Sequence, residues 1–160
     1  MQIFRVSPDH KVSAAFLDNR RLSKQVLELY QIIRVCLVEM DIIEGNSRYL
    51  SHPIVKHVYN EGESYLHDAL YMLHCMDEEH RQRGGKRSAQ FREDLAQLED
   101  TVTNYRHLFS TDAIPPFYVF KEEKIYGDQA YTKYLELLYS KWAQDKVPPR
   151  CGIKNISREI

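Results

Sequence analysis

Cysteine is scarce and scattered. Cys36, Cys75 and Cys151 stand far apart with no CxxC pair, which excludes a disulfide framework and the paired spacing of a structural zinc site. Only six glycines and six prolines interrupt 160 residues, too few for an architecture of many short strands and turns. No apolar run approaches the ~20 residues that span a bilayer, and residues 1–20 lack the apolar stretch of a secretory signal. A cytoplasmic location is therefore expected, the host cytoplasm if the gene is viral, with no membrane partner. The sequence holds no HExxH pair, no glycine-rich phosphate loop, no nucleophile elbow and no telling Cys–His spacing, so neither metal nor cofactor is expected. An excess of one charge is missing too. Twenty-two Lys and Arg against 23 Asp and Glu leave a net charge of −1, so any contact with a polyanion must come from a local cluster rather than a global field.

What is present is an ordinary globular balance, 43% hydrophobic and 28% charged, in a length that suits one domain with a real core. Leu22, Val26, Leu29, Ile33, Leu37 and Met40 recur at steps of three and four, the period of a buried helical stripe. This predicts a helix over 20–43, capped by Asn19 and stopped by Gly45-Asn46. His52-Pro53 opens a second long helix, to about residue 82, with Val55, Tyr59, Leu66, Leu70 and Leu73 inward and Gly84-Gly85 as its stop. Further helices are predicted over 88–108 and 128–143, the latter rich in tyrosine and carrying Trp142, with aromatics read mainly as core. The expected architecture is all-α, a compact helical bundle over 1–147, followed by an extended tail over 148–160.

Local positive charge gathers near the start. The first 35 residues hold Arg5, Lys11, Arg20, Arg21, Lys24 and Arg34 against Asp9, Asp18 and Glu28. Three of these cations fall in the first turns of the 20–43 helix, where the macrodipole is already positive and acids are the stabilising choice. A broken local rule points to a functional demand, and an anion satisfies it: unpaired helix N–H groups and guanidinium forks together make a phosphate site. The plainer alternative is a set of solvated cations paired with Asp18 and Glu28. Arg5, Asn19, Arg20, Arg21, Lys24, Gln25 and His52 are the candidate phosphate or nucleic-acid ligands, with Arg20 and Arg21 expected to be partly exposed. Arg81, Arg83, Lys86 and Arg87 form a second basic knot.

The string Leu17-Asp18-Asn19-Arg20-Arg21-Leu22-Ser23-Lys24-Gln25, then His52-Pro53 opening a long helix, then Gln82-Arg83-Gly84-Gly85, resembles the pyrimidine-dimer DNA glycosylase family of the phage endonuclease V type, in its LDxRRLxKQ branch, over residues 1–85. The resemblance implies a compact helical fold and DNA as partner. It also implies a terminal α-amine that attacks the sugar C1′ of a damaged nucleotide, forms a Schiff base and cuts the strand by β-elimination. An α-amine with a pKa near 8 suits that task, acting on a nucleotide drawn out of the stack. Carried over, the nucleophile falls on Met1, which Gln2 is too bulky to let be excised. Arg20 matches the arginine of the helix start, and Lys24 a phosphate-binding arginine. The catalytic glutamate, however, aligns with Arg21, which leaves Glu28, two turns on, or Asp18 as the nearest carboxylate. Three functions stay open on the sequence: a glycosylase–lyase using Met1 and Glu28, an inactive relative binding DNA or a phosphorylated nucleotide, and a structural protein whose helices form a homo-oligomer.

Overall fold

The computed structural model describes residues 1–149; the last eleven positions of the expected tail, Cys151 among them, lie outside the described residues. Helix α1 spans His10–Phe16, with the Asp9 carboxylate accepting the Lys11 N–H at 2.9 Å as its cap. Helix α2 spans Asn19–Glu39. Its cap is Asp18 rather than Asn19: the Asp18 side chain accepts the Arg21 N–H at 3.1 Å. Leu22, Val26, Leu29, Ile33 and Leu37 are fully buried as their spacing predicts, and Ile32 and Cys36 join them. The helix ends before the expected glycine. Asp41 takes up the left-handed conformation at φ 58°, and the Asp41 and Ile42 N–H groups bond back to Val38 O and Leu37 O at 3.0 Å each. Those two bonds close the helix in the manner usually supplied by glycine.

The helix expected over 53–82 is two helices, α3 (Pro53–Tyr59) and α4 (Leu66–Gln82). Between them Asn60, Glu61 and Gly62 hold φ of 49°, 54° and 95°, a run that no right-handed helix accommodates. Asn and Gly tolerate that region, and the Ser64 hydroxyl bonding Tyr59 O at 2.9 Å fixes the turn. At the other end of α4, Gly84 at φ 87° supplies the predicted stop. Helix α5 spans Ala89–Asn104, capped by Ser88, and Arg92 grips Asp77 of α4 with two bonds of 2.6 and 2.9 Å.

The expectation of an all-α chain needs correction. Phe117–Phe120 (β1) and Glu123–Tyr126 (β2) form an antiparallel hairpin with Phe117 opposite Tyr126. Those two rings stack at 4.6 Å, and the strands are rich in aromatic and β-branched residues, the types that suit a pleated surface. Eight strand residues between loops are too few to show a period. Helix α6 (Gln129–Gln144) then buries Tyr134, Leu137, Leu138 and Trp142, so its aromatics are mostly core. The chain is thus mostly helical with one small sheet. Helix α2 lies at the centre, packed chiefly on α4, and the apolar core draws on every helix from α1 to α6. Among the described residues no helix is long and apolar enough to cross a membrane.

Candidate nucleic-acid-binding cleft

Residues 1–4 lie against the start of α2 because Gln25 holds them there. Gln25 is buried; its Oε1 accepts the Phe4 N–H at 2.9 Å and its Nε2 donates to Gln2 O at 3.0 Å. Ile3 and Phe4 are buried beside it, with Phe4 edge-on to Tyr134 at 5.7 Å. Gln25→Leu leaves a backbone donor and acceptor without partners, each such loss costing about 1–3 kcal/mol. A drop of about 2 kcal/mol in unfolding free energy is expected from urea denaturation, and an unchanged midpoint would show that the amide bridge does not hold the segment.

Helical spacing puts Arg21, Lys24, Gln25 and Glu28 on one face of α2. With Gln2, Phe4, Arg20 and Lys141 of α6 they line a cavity of about 170 Å³. From Arg20 a wider depression of about 620 Å³ continues past Asn19 to Asp145 and Pro148. Arg20 and Lys24 are exposed. Glu28 is largely covered, with 15% of its side chain accessible, and lies 3.7 Å from Lys24 Nζ.

Arg21 differs from its neighbours. Only 12% of its side chain is accessible, against the expected partial exposure. Its Nη1 and Nη2 donate to the two oxygens of Asp145 at 2.7 and 3.2 Å, and Nη1 also reaches Asp18 at 3.2 Å. The hydrogen bond to Asp145 raises the Arg21 pKa, and the same contact holds the Asp145 carboxyl below the usual range. Trp142 Nε1 donates to Asp18 Oδ1 at 2.8 Å. Asp18 therefore caps α2, balances Arg21 and anchors α6, which leaves its oxygens no role as a reacting base.

The other sequence candidates sit around this cleft or away from it. Asn19 is exposed and accepts Arg83 Nη1 at 2.9 Å. Arg5 is 5% exposed, donates to Ile114 O at 2.7 Å and lies over the Tyr131 ring; it pins the loop before β1 rather than lining the cavity. His52 caps α3, its Nδ1 accepting the Ile54 N–H at 3.1 Å. Burial, together with the positive charge of the Met1 ammonium, lowers the His52 pKa, so a neutral ring serves as acceptor. Met1 is half-buried and its charge is felt at His52, while Gln2 and Phe4 form the cavity wall. In the second basic knot, Arg83 donates to Ala14 O, Ala15 O and Leu17 O at 3.1, 3.1 and 2.7 Å, closing the end of α1, and Arg87 donates to Ser23 O at 2.6 Å. Both brace the region that carries the cleft.

Lys141 and Asp145 are not legible as site residues in the sequence. They lie more than a hundred residues from α2, and no local pattern marks them. Trp142, one position from Lys141, was the nearest signal.

The family model for pyrimidine dimer DNA glycosylase matches residues 1–93, more than half of the 160. The chain belongs to this family. No curated protein and no solved structure matches it. The matched segment ends in the second turn of α5, so the α2 face belongs to it, whereas Lys141, Trp142 and Asp145 come from the unmatched half of the chain.

Proposed function

We propose that the chain is a DNA glycosylase with AP-lyase chemistry, holding the phosphates of damaged duplex DNA at Arg20 and Lys24 and using Glu28 as its carboxylate. The observation that carries this is the joining of family membership to one cleft in which exposed cations, a covered carboxylate and a pinned N-terminal segment meet. The family's reaction needs an amine to attack C1′ and a base to take the C2′ proton. Among the described residues, Glu28 is the one carboxylate on the cavity wall.

Cleavage of ultraviolet-irradiated duplex and of duplex with a single abasic site tests the proposal. Nicking at the lesion is expected in both. Tight binding with neither substrate cut favours a second reading, a relative that binds DNA or a phosphorylated nucleotide without chemistry. That reading is favoured by Arg21, a cation engaged by Asp145 and Asp18 where the resemblance places a glutamate. Salt dependence separates its two ligands: duplex binding falls steeply with salt, in proportion to the phosphates neutralised, whereas a nucleotide held in a pocket responds weakly.

Arg20→Ala is expected to weaken duplex binding about uniformly across sequences and to lower the slope of log affinity against log salt by about 1. The side chain is exposed, so the thermal midpoint should stay within about a degree or two of the wild type, as for surface substitutions generally. Unchanged affinity would remove Arg20 from the phosphate site.

A further inference from the structure

Resting on the duplex-binding reading above, we infer that the cleft is one end of a longer DNA track, and that a second groove on α2, built around Arg34 and Arg48, holds the backbone of the duplex flanking the damaged site. One stripe of α2 joins the two places. Arg20, Lys24, Leu27, Gln31 and Arg34 follow at steps of four, three, four and three, which keeps them on one side of the helix. None of the five is buried, and Leu27 is 45% exposed. The cleft opens on one flank of this stripe and the groove on the other. The groove measures about 450 Å³, and its walls include Leu27, Tyr30, Arg34, Val38, Arg48 and Tyr49. Among the described residues, no carboxylate lines it.

Both arginines are held in place without being neutralised. The Arg34 guanidinium lies over the Tyr30 ring, 5.9 Å from its centroid. Tyr30 meets Phe91 of α5 edge-on at 5.4 Å, and Arg87 lies over Phe91 while donating to Ser23 O of α2. Arg48 opens a single 3-10 turn, Arg48–Ser51, that packs on α2, and Asn46 Oδ1 accepts its N–H at 2.6 Å. Arg21, Arg83 and Arg92 each meet a carboxylate. Among the described residues, Arg34 and Arg48 meet none.

A guanidinium stacked on a ring keeps its in-plane N–H donors for an anion. Two such cations beside exposed apolar groups suit a nucleic-acid backbone, with phosphates on the guanidinium forks and sugars against Leu27 and Tyr49. An acidic protein would satisfy the charges too, but the stripe runs on from Arg20 and Lys24, which favours the same polyanion for both places. The spacing sets the reach. Arg34 stands fourteen residues after Arg20, about 21 Å along α2, and a duplex advances that far in about six base pairs. The groove therefore serves the DNA on one side of the lesion only.

Titration of the full chain at several salt concentrations against three duplexes of about 20 base pairs tests this, the abasic site lying centrally, about three base pairs from one end, or about three from the other, distances set by that spacing. With the central lesion, the Arg34→Gln/Arg48→Gln double variant should lower the slope of log affinity against log salt by about 2, one phosphate for each arginine. The same fall should appear with one displaced lesion and vanish with the other, which lacks the flank that the groove holds. Arg48→Gln alone changes an exposed side chain and spares the Tyr30 contact, so it should lower the slope by about 1 even where the double variant folds poorly. An equal fall on all three duplexes, or no fall on any, overturns this inference, while binding and nicking by the wild type leave the cleft and its function standing. A wild type that binds none of the three overturns both.

Discussion

Glu28→Gln should abolish most strand cutting while leaving DNA bound. The substitution keeps the shape and hydrogen-bonding capacity of the side chain and removes only its ability to take a proton. Loss of a positioned general base slows a reaction by about 10²–10⁴-fold, and a fall of that size in the single-turnover rate on abasic-site duplex is expected. Binding should hold or tighten slightly, because one negative charge beside Lys24 has gone. Imine formation precedes the proton abstraction, so borohydride trapping should persist. That combination, trapped but uncut, would not arise from a collapsed cleft. Cutting at the wild-type rate would place the base elsewhere. Asp18 is a poor substitute, since its oxygens already accept from Arg21 N, Arg21 Nη1 and Trp142 Nε1. The distance along the helix also matters: Glu28 stands seven residues after Arg21, about 10 Å further along α2.

The N-terminal half of this arrangement is legible in the sequence because it is written in α2. Period and charge placement together mark a helix whose inward face is Leu22, Val26 and Leu29 and whose other face carries Arg20, Lys24, Glu28 and Gln31. What the sequence hides depends on contacts distant along the chain. Arg21 reads from its neighbours as an anion ligand or a partner of Asp18, and its shorter, two-pronged bond is to Asp145, 124 residues later. Arg5 reads as one more cation of the same cluster, yet it is buried under Ile114. Gln25 reads as one more phosphate ligand of the helix start and proves to be the buried clamp on residues 2–4. The break between α3 and α4 was hidden differently. Asn60 and Gly62 permit a break, but the apolar spacing on either side of them imitates one continuous stripe. Short strands such as β1 and β2 carry too little pattern to be seen against helical neighbours.

Asp18→Ala should be among the most destabilising single changes in the cleft, by about 3 kcal/mol or more, as expected when one partner of a largely buried charged network is removed. Three losses combine. The cap on Arg21 N goes, worth about 1 kcal/mol. Trp142 Nε1, on a ring 8% exposed, is left with no acceptor, at about 1–3 kcal/mol. Arg21 keeps Asp145 but loses its second carboxylate. Asp145→Asn is the instructive contrast: Asp145 sits at the outer edge of the pair, Asp18 remains for Arg21, and a clearly smaller loss is expected, as for accessible ion pairs. Because the Asp145 carboxyl is held below its ordinary value, its contribution is present above the ordinary aspartate pKa and disappears as pH falls through the lowered one. Urea unfolding of both variants at neutral pH measures the difference. Equal losses would show that Asp18 and Asp145 contribute alike to the junction of α6 with α2. A larger loss for Asp18→Ala assigns the junction to the three-way contact of Asp18 with Arg21 and Trp142.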